Sequence, residues 1–346
     1  MKKIFLMLIA VILLLTGCGK VNEKTIKEKF IKDSTSLKSY HLEGELVLTN
    51  NDDVYKYNTK VSYKTPDNYK VELINQSNSY QQILLRNSDG IYVYTPSLNK
   101  SFKFQSEWPY NNSQVYILKS LAEDLNNDQN YTFKQDKDNY IFTTKVDYPN
   151  NPDLVKQNIY LDKNQNLVKV EVLNKNDIPL ITFTVNSIDK KPTFNDDYFI
   201  LKEEKVTEDQ TKNNNKKEED KKENTTETTS TTLNNSLFPM YLPENTKLAN
   251  KETIDTDQGQ RIIMTFSGDK PFILVQETAS KEKELTIVPT YGQPFLLIDT
   301  VGSLTDISYT WTSNNVEYYI VSDVLEQNEL LEVAKSIGVV ATINEK

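Results

Sequence analysis

Residues that carry chemistry are scarce in this 346-residue chain: it has one cysteine, one histidine and 9 glycines. A single cysteine excludes an internal disulfide framework. A single histidine, His41, excludes the usual His-rich zinc site. There is no Gly-x-Ser-x-Gly nucleophile elbow and no His-Glu-x-x-His pair, so those routes to hydrolysis are closed. A serine–histidine–acid triad would have to use His41, which reads as a partly exposed residue at the start of a strand. Phosphate-cradling glycine loops are missing too; Asp89-Gly90 and Gly268-Asp269 read as turns. No feature singles out a carboxylate pair of the glycosidase kind. Asp162 to Asn166 has one acid and three amides, but it lacks the central glycine and closing glutamate of a calcium loop. It reads as a hairpin turn. The formal charge of −9 argues against nucleic acid, which needs basic clusters. The expectation is a chain that is not an enzyme and has no cofactor, no metal and no nucleic-acid partner.

What is present begins at the N-terminus. Lys2 and Lys3 precede an unbroken apolar run from Ile4 to Leu15, followed by Leu15-Thr16-Gly17-Cys18. The run is shorter than the roughly 18–20 apolar residues of a permanent membrane span. A basic start, a short apolar stretch and small residues are the marks of an export signal. The segment resembles the bacterial lipobox. That resemblance implies a lipoprotein signal peptide over residues 1–17, lipidation of Cys18, and a mature protein held to the extracytoplasmic face of the cell membrane. An ordinary secretory signal with a coincidental cysteine is the alternative. Two acyl chains suffice for stable anchoring, at about 0.8 kcal/mol per buried methylene.

Beyond Cys18, Ile26, Phe30, Ile31 and Leu37 recur at helical spacing and predict one amphipathic helix between Lys20 and Tyr40. Alternation then takes over. Leu42, Gly44, Leu46 and Leu48, then Tyr55, Tyr57, Val61 and Tyr63, then Tyr69, Val71 and Leu73 interleave with polar residues. This is the signature of a sheet with one dry face. Turn clusters at 50–53, 65–68 and 87–90 separate the runs. Further strands are predicted at 83–86, 91–95 and 100–104. A second helix is predicted around Val115, Leu118, Leu121, Ala122 and Leu125, after Pro109 and a cap at Asn112 or Ser113. Strands resume at 131–133, 140–146, 156–161, 167–173 and 180–188. Residues 202–236 are rich in Lys, Glu, Asp, Asn and Thr with no aromatic. They read as a disordered charged linker, with a charged helix over Glu203 to Glu223 as the alternative. A small α+β domain is expected over residues 237–346. Its strands are predicted at 260–266, 272–276, 285–288, 305–312 and 316–322. A final helix presents Leu330, Leu331, Ala334 and Ile337, with Gly338 as its C-cap.

The run Asp89-Gly90-Ile91-Tyr92-Val93-Tyr94-Thr95-Pro96, then Lys100 to Phe104 and Trp108-Pro109, is followed later by Asn158 to Asp162, Leu167 to Val172, Ile181-Thr182-Phe183 and Phe194-Asn195. In this order it resembles the lipoprotein-carrier fold of the LolA, LolB and RseB type. With the N-terminal signal and the tail motifs Ile307 to Trp311, Val316 to Tyr318 and Glu329 to Ile337, the chain is most similar to the YdcC group of sporulation lipoproteins. The resemblance implies an α+β protein: an incomplete antiparallel β-barrel plugged by helices over residues 18–201, plus the second small domain. It implies that the barrel interior takes an acyl chain, a lipid or an apolar protein segment. Tyr92, Tyr94, Phe102, Phe104 and Trp108 are the ligand-binding candidates, and ordinary core packing is the competing reading for each. Family carriers that shuttle lipoproteins are soluble, whereas an anchored Cys18 points to a stationary receptor. The other function implied is that of an RseB-like regulatory or scaffold protein that binds an envelope protein.

Overall fold

The computed structural model describes residues 22–50, 53–110, 112–202, 237–257, 259–297 and 300–337. The expected signal peptide, Cys18, residues 203–236 of the expected linker and the expected C-cap Gly338 lie outside the described residues.

Helix α1 (Glu23–Ser36) starts where the Asn22 side chain accepts a hydrogen bond from the Lys24 backbone N–H at 3.1 Å, with Glu23 in its first turn. The cap satisfies one orphan donor and the acid suits the positive helix end. Its apolar face, Ile26 and Phe30, is 1% and 3% exposed. Helix α2 (Leu118–Asn127) buries Leu118, Leu121, Ala122 and Leu125. Residues of both helices share one hydrophobic core with the first sheet.

That sheet has twelve strands in the order β15-β6-β5-β4-β3-β2-β1-β11-β10-β9-β8-β7. It is open, with β15 (Thr286–Thr290) and β7 (Thr132–Gln135) at its edges. The centre is β1 (Ser39–Asn50) between β2 (Asp53–Lys64) and β11 (Pro179–Asp189). Cross-strand register fixes the core face: Leu42 pairs with Val61 and Ile188, and Leu46 with Tyr57 and Phe183. Period-two alternation puts these residues on the side that meets the helices. Gly44 lies on that face because the Phe183 ring covers it. A Cβ there would sit 2.7 Å from the ring and 2.5 Å from the Thr184 carbonyl oxygen.

The first half of the sheet continues through β3 (Asn68–Asn75), β4 (Gln81–Asn87), β5 (Gly90–Thr95) and β6 (Lys100–Phe104). The other half runs through β10 (Leu167–Asn174), β9 (Leu154–Leu161) and β8 (Tyr140–Lys145). Asp162 closes the β9–β10 hairpin by accepting the Asn164 and Asn166 backbone N–H groups, both at 2.8 Å. On the outer face, Phe194, Tyr198 and Phe199 fold back over Leu85 and Tyr92 as a separate cluster.

A second, all-antiparallel sheet has seven strands in the order β12-β13-β14-β19-β18-β17-β16. They are β12 (Thr246–Thr256), β13 (Gly259–Gly268), β14 (Phe272–Thr278), β16 (Gln293–Leu296), β17 (Val301–Leu304), β18 (Ser308–Ser313) and β19 (Val316–Val321). Helix α3 (Gln327–Lys335) opens with a Glu326–Glu329 capping box and buries Leu330, Leu331, Val333 and Ala334 in the core of this sheet.

Three observations depart from the sequence expectation. The segment at 285–288 is a strand, but as β15 it pairs with β6 of the first sheet, in parallel: Thr286 opposite Lys100, Val288 opposite Phe102. Pro289 is compatible with this because an edge strand has one side with no partner to donate to. Helix α2 starts at Leu118 with Ile117 at its N-cap, not at Asn112 or Ser113. Ser113 is engaged elsewhere: its Oγ accepts the Asp147 backbone N–H at 2.8 Å. Strands β12, β16 and β17 were not anticipated. β12 is exposed at nine consecutive positions and so has no alternation to read.

Candidate functional site

Two cavities lie where the first sheet meets the chain beyond residue 237. The larger measures about 530 Å³ and sits at one end of the core face of the first sheet. Leu46, Leu48 and Ile181 come from β1 and β11, and Trp108, Val115 and Tyr116 come from the connection between β6 and α2. Tyr148 and Asn150 come from the β8–β9 connection. Phe295 of β16 and Glu332 and Lys335 of α3 close it from the other side. The floor is apolar and the rim carries amides. Burial pushes up the phenols of Tyr116 and Tyr148, and nearby Asp124 adds to the rise at Tyr148. Both phenols are neutral across the physiological range. The lining ion pair, Lys335 with Glu332 at 2.7 Å, balances itself. Asn150 is 7% exposed and its Nδ2 has no hydrogen-bond partner in the protein. A buried donor left in that state costs about 1–3 kcal/mol.

The smaller cavity, about 280 Å³, lies between β6–β15 on one side and β17–β18 on the other. Its end is fixed by Gln82 of β4, which is 4% exposed. The Gln82 Oε1 accepts the Val301 backbone N–H at 2.5 Å, and its Nε2 donates to the Val301 carbonyl at 3.1 Å. Thr300 Oγ1 donates to the same Oε1 at 3.2 Å. The pairing of β17 with β18 covers Ser303–Thr310 and Leu304–Tyr309; at Val301 a side chain stands in for the neighbouring strand. The seam is further tied by Lys100 to Glu317 at 2.5 Å, by Glu282 N–H to the Leu98 carbonyl at 2.9 Å, and by Thr286 N–H to the Asn99 carbonyl at 2.9 Å.

The five sequence candidates are divided by strand parity. Trp108, 2% exposed, lines the larger cavity. Phe102 and Phe104 line the smaller one. Tyr92 and Tyr94 line neither. They alternate with Ile91 and Val93, which pair with Phe104 and Phe102 on the core face, so their side chains fall on the outer face. There Tyr92 packs with Phe199 and Leu85, and the Tyr94 hydroxyl donates to Asn99 Oδ1 at 3.5 Å. Gln82 was missed, although it carries a readable signal: a polar residue at the parity of Leu84, which is a core position. Nothing in the sequence indicated that Asn150 and Phe295 share a cavity with Trp108, since two of them come from separate connections and the third from a strand of the other sheet.

His41 does meet a serine and an acid. Its Nδ1 lies 2.9 Å from Ser62 Oγ and its Nε2 lies 3.4 Å from Glu43 Oε1. The Ser62 side chain is 1% exposed and shares its hydroxyl with Tyr198 at 2.9 Å. None of these residues lines either cavity. A nucleophile covered by Tyr198 has no place for a substrate carbonyl, so the set pins the return segment onto the outer face. Among the described residues, no group of three or more His, Cys, Asp or Glu could hold a metal ion. No helix among them is long and apolar enough to cross a membrane.

These features define a mostly-β protein built on open, unclosed sheets, with three helices among the described residues and its cavities at the seam between two sheets. A family model described as sporulation protein YdcC-like matches residues 1–199. The chain is 32% identical over 327 residues to sporulation protein YdcC of Bacillus subtilis (strain 168), covering 94% of this chain and 93% of that relative. The chain therefore belongs to the YdcC-like family of sporulation proteins. Among solved structures, it is similar to MucB at 12% identity, with 92% of this chain and 98% of that one covered and a TM-score of 0.35. It is similar to a LolA superfamily protein from Nitrosomonas europaea at 14% identity, with 52% of this chain and 98% of that one covered and a TM-score of 0.30.

Proposed function

We propose that the chain is a membrane-anchored, extracytoplasmic lipoprotein that binds an acyl chain, a lipid or an apolar protein segment without catalysing a reaction, in the context of sporulation. On this reading, residues 18–201 form an incomplete barrel plugged by α1 and α2, residues 202–236 are a linker, and residues 237–346 are a second small α+β domain. Lipid on Cys18 holds the whole at the membrane.

The observation that carries the proposal is the larger cavity. Its volume of about 530 Å³ lies within the range of ligand pockets, roughly 300–1,000 Å³. Its floor of Leu46, Leu48, Ile181 and Trp108 suits a hydrocarbon. The half-buried amides of Asn112 and Asn151 in the lining suit a ligand that also carries a carbonyl acceptor, such as an acyl ester or a peptide group. Membership of a sporulation protein family supports the biological setting.

The test compares native protein with Ile181→Trp, which fills the cavity floor. Both are purified from membranes and assayed by mass spectrometry for bound lipid and for co-purifying protein. One lipid per chain, lost in Ile181→Trp, supports an acyl ligand. One envelope protein per chain, lost in the same variant, supports the partner-binding form. Identical contents in both samples would refute the proposal. Cys18→Ala should shift the folded protein from the membrane fraction to the supernatant. Retention of that variant at the membrane would overturn the lipid anchor.

A further inference from the structure

We infer that the smaller cavity is a second binding site, for a neutral polyhydroxylated ring such as a hexose or an N-acetylhexosamine. Nothing in the acyl-binding proposal uses this cavity, and the inference does not depend on it.

The two walls differ in chemistry. One wall is the core face at the edge of the first sheet, where Phe102 and Phe104 are neighbours of Val288 and Thr290 through the parallel β6–β15 pairing. The facing wall is the β17–β18 surface. Ser303 and Thr310 are cross-strand partners there, and Ser308 and Thr312 share the parity of Thr310. The orientation is fixed independently by the Lys100–Glu317 ion pair, because Lys100 shares the parity of Phe102 and Glu317 pairs with Thr312.

The lining contains no Asp, Glu, Lys, Arg or His, in a chain that is 26% charged. The charges beside the cavity, Lys100 Nζ at 5.5 Å from the Phe102 ring centroid and Glu317, are paired with each other at 2.5 Å, so a charged ligand would lose its hydration and find only a counter-charge already engaged. Ser303 Oγ donates to the Tyr291 carbonyl at 2.6 Å and Ser308 Oγ meets Thr305 Oγ1 at 2.8 Å; a hydrocarbon would fit the phenylalanines but leave the remaining lone pairs of this wall with no donor. A pyranose answers both walls: its C–H face lies on an aromatic ring while its hydroxyl edge meets serine and threonine. At about 280 Å³ the cavity lies near the lower bound for small-molecule pockets, room for one or two rings rather than an enclosed polymer. Tyr291, 79% exposed, stands at the lining as an uncovered aromatic surface next to that space. Because the walls belong to different sheets, the site exists only while β15 and β17 are docked against the first sheet, and a bound ring would bridge the seam.

The experiment is calorimetric titration of the full-length protein, held in a detergent without a sugar head group. The probes are N-acetylglucosamine, glucose, glucosamine and glucuronate. Saturable one-to-one binding of the neutral sugars is expected, with the two charged sugars at least about tenfold weaker. Thr310→Val removes one hydroxyl at almost constant shape and should weaken binding about fivefold to tenfold, within the usual range for one hydrogen bond. Phe102→Ala should weaken it further, and Ile181→Trp in the other cavity should leave it unchanged. No saturable binding of either neutral sugar would overturn the inference. So would equal binding of the charged sugars, or native-like binding by Thr310→Val with an unchanged urea midpoint. Equally strong binding of an uncharged Ser-Gly-Ser peptide would also overturn it, by showing a site for backbone rather than for a sugar ring.

Discussion

Replacing Gln82 by Leu tests how the two sheets are joined. The native carboxamide receives the Val301 N–H and donates to the Val301 carbonyl, while Gln82 and Val301 are both 4% exposed. Leucine has similar bulk and no polar atom. Two buried backbone groups would lose their partners, at about 1–3 kcal/mol each. Thr300 loses less, because its Oγ1 also lies 2.7 Å from the Thr312 carbonyl. A loss of about 2–6 kcal/mol is expected, large against the 5–15 kcal/mol of ordinary domain stability. With a urea m-value near the upper end of the usual range, the midpoint falls by about 1–2 M. The chain carries its own reporters, because it has two tryptophans, Trp108 in the first core and Trp311 in the second. Trp108→Phe and Trp311→Phe backgrounds isolate them. With Gln82 intact the two fluorescence transitions should coincide. In Gln82→Leu the Trp311 transition should move to lower urea and separate from that of Trp108. Coincident transitions in the variant, with a midpoint shift below that of about 1 kcal/mol, would refute the idea that Gln82 couples the sheets.

Other expectations follow from single side chains. Gly44→Ala places a methyl 2.7 Å from the Phe183 ring and 2.5 Å from a backbone oxygen. It should cost about 1–3 kcal/mol by overpacking, read as a lower thermal midpoint; an unchanged midpoint would show that Phe183 can move aside. Asp124 of α2 receives the Gln157 amide at 2.8 Å, yet burial lifts its carboxyl from 3.8 to about 6. A raised acid favours its protonated form in the fold. Its cost is therefore absent below about pH 4, grows as pH rises through about 6, and is complete above that, on the order of 2 kcal/mol. Asp124→Asn should be more stable than native protein at pH 7.5, with the advantage vanishing near pH 4, as followed by urea titrations across that range. A pH-independent difference would count against the burial argument.

The parts of the fold legible in the sequence are those where one face is dry and the other wet. Leu42, Leu46 and Leu48 alternate with half-buried polar or smaller residues, and β1 followed directly. Ile26 and Phe30 gave α1 in the same way. Illegible elements are those whose stability comes from backbone pairing alone. β12 is exposed on both faces and held by its ladder to β13, so side-chain pattern says nothing about it. The sequence Thr286 to Thr290 reads as a strand, but no side chain states that its partner is β6 rather than a neighbour in the tail. Of the aromatic candidates, Trp108, Phe102 and Phe104 line cavities and Tyr92 and Tyr94 do not. Grouping Tyr92 and Tyr94 with them ignored the parity that sends adjacent residues to opposite faces. The seam that makes both cavities is a long-range contact, and local periodicity carries no record of it.

The parallel pairing of β15 with β6 also sets an order of assembly. Synthesis completes every other strand of the first sheet, then β12 to β14 of the second, before Thr286 to Thr290 exists. Until then the β6 edge has a row of backbone donors and acceptors with nothing to bind, and Phe102 has only half its surroundings. Such an edge invites pairing with another chain, and closing it across so long a separation is slow. A shortened protein ending at residue 201 would keep that nascent condition permanently. It would be a sheet with an adhesive margin, and any self-association it showed would report the missing last strand rather than a property of the whole molecule.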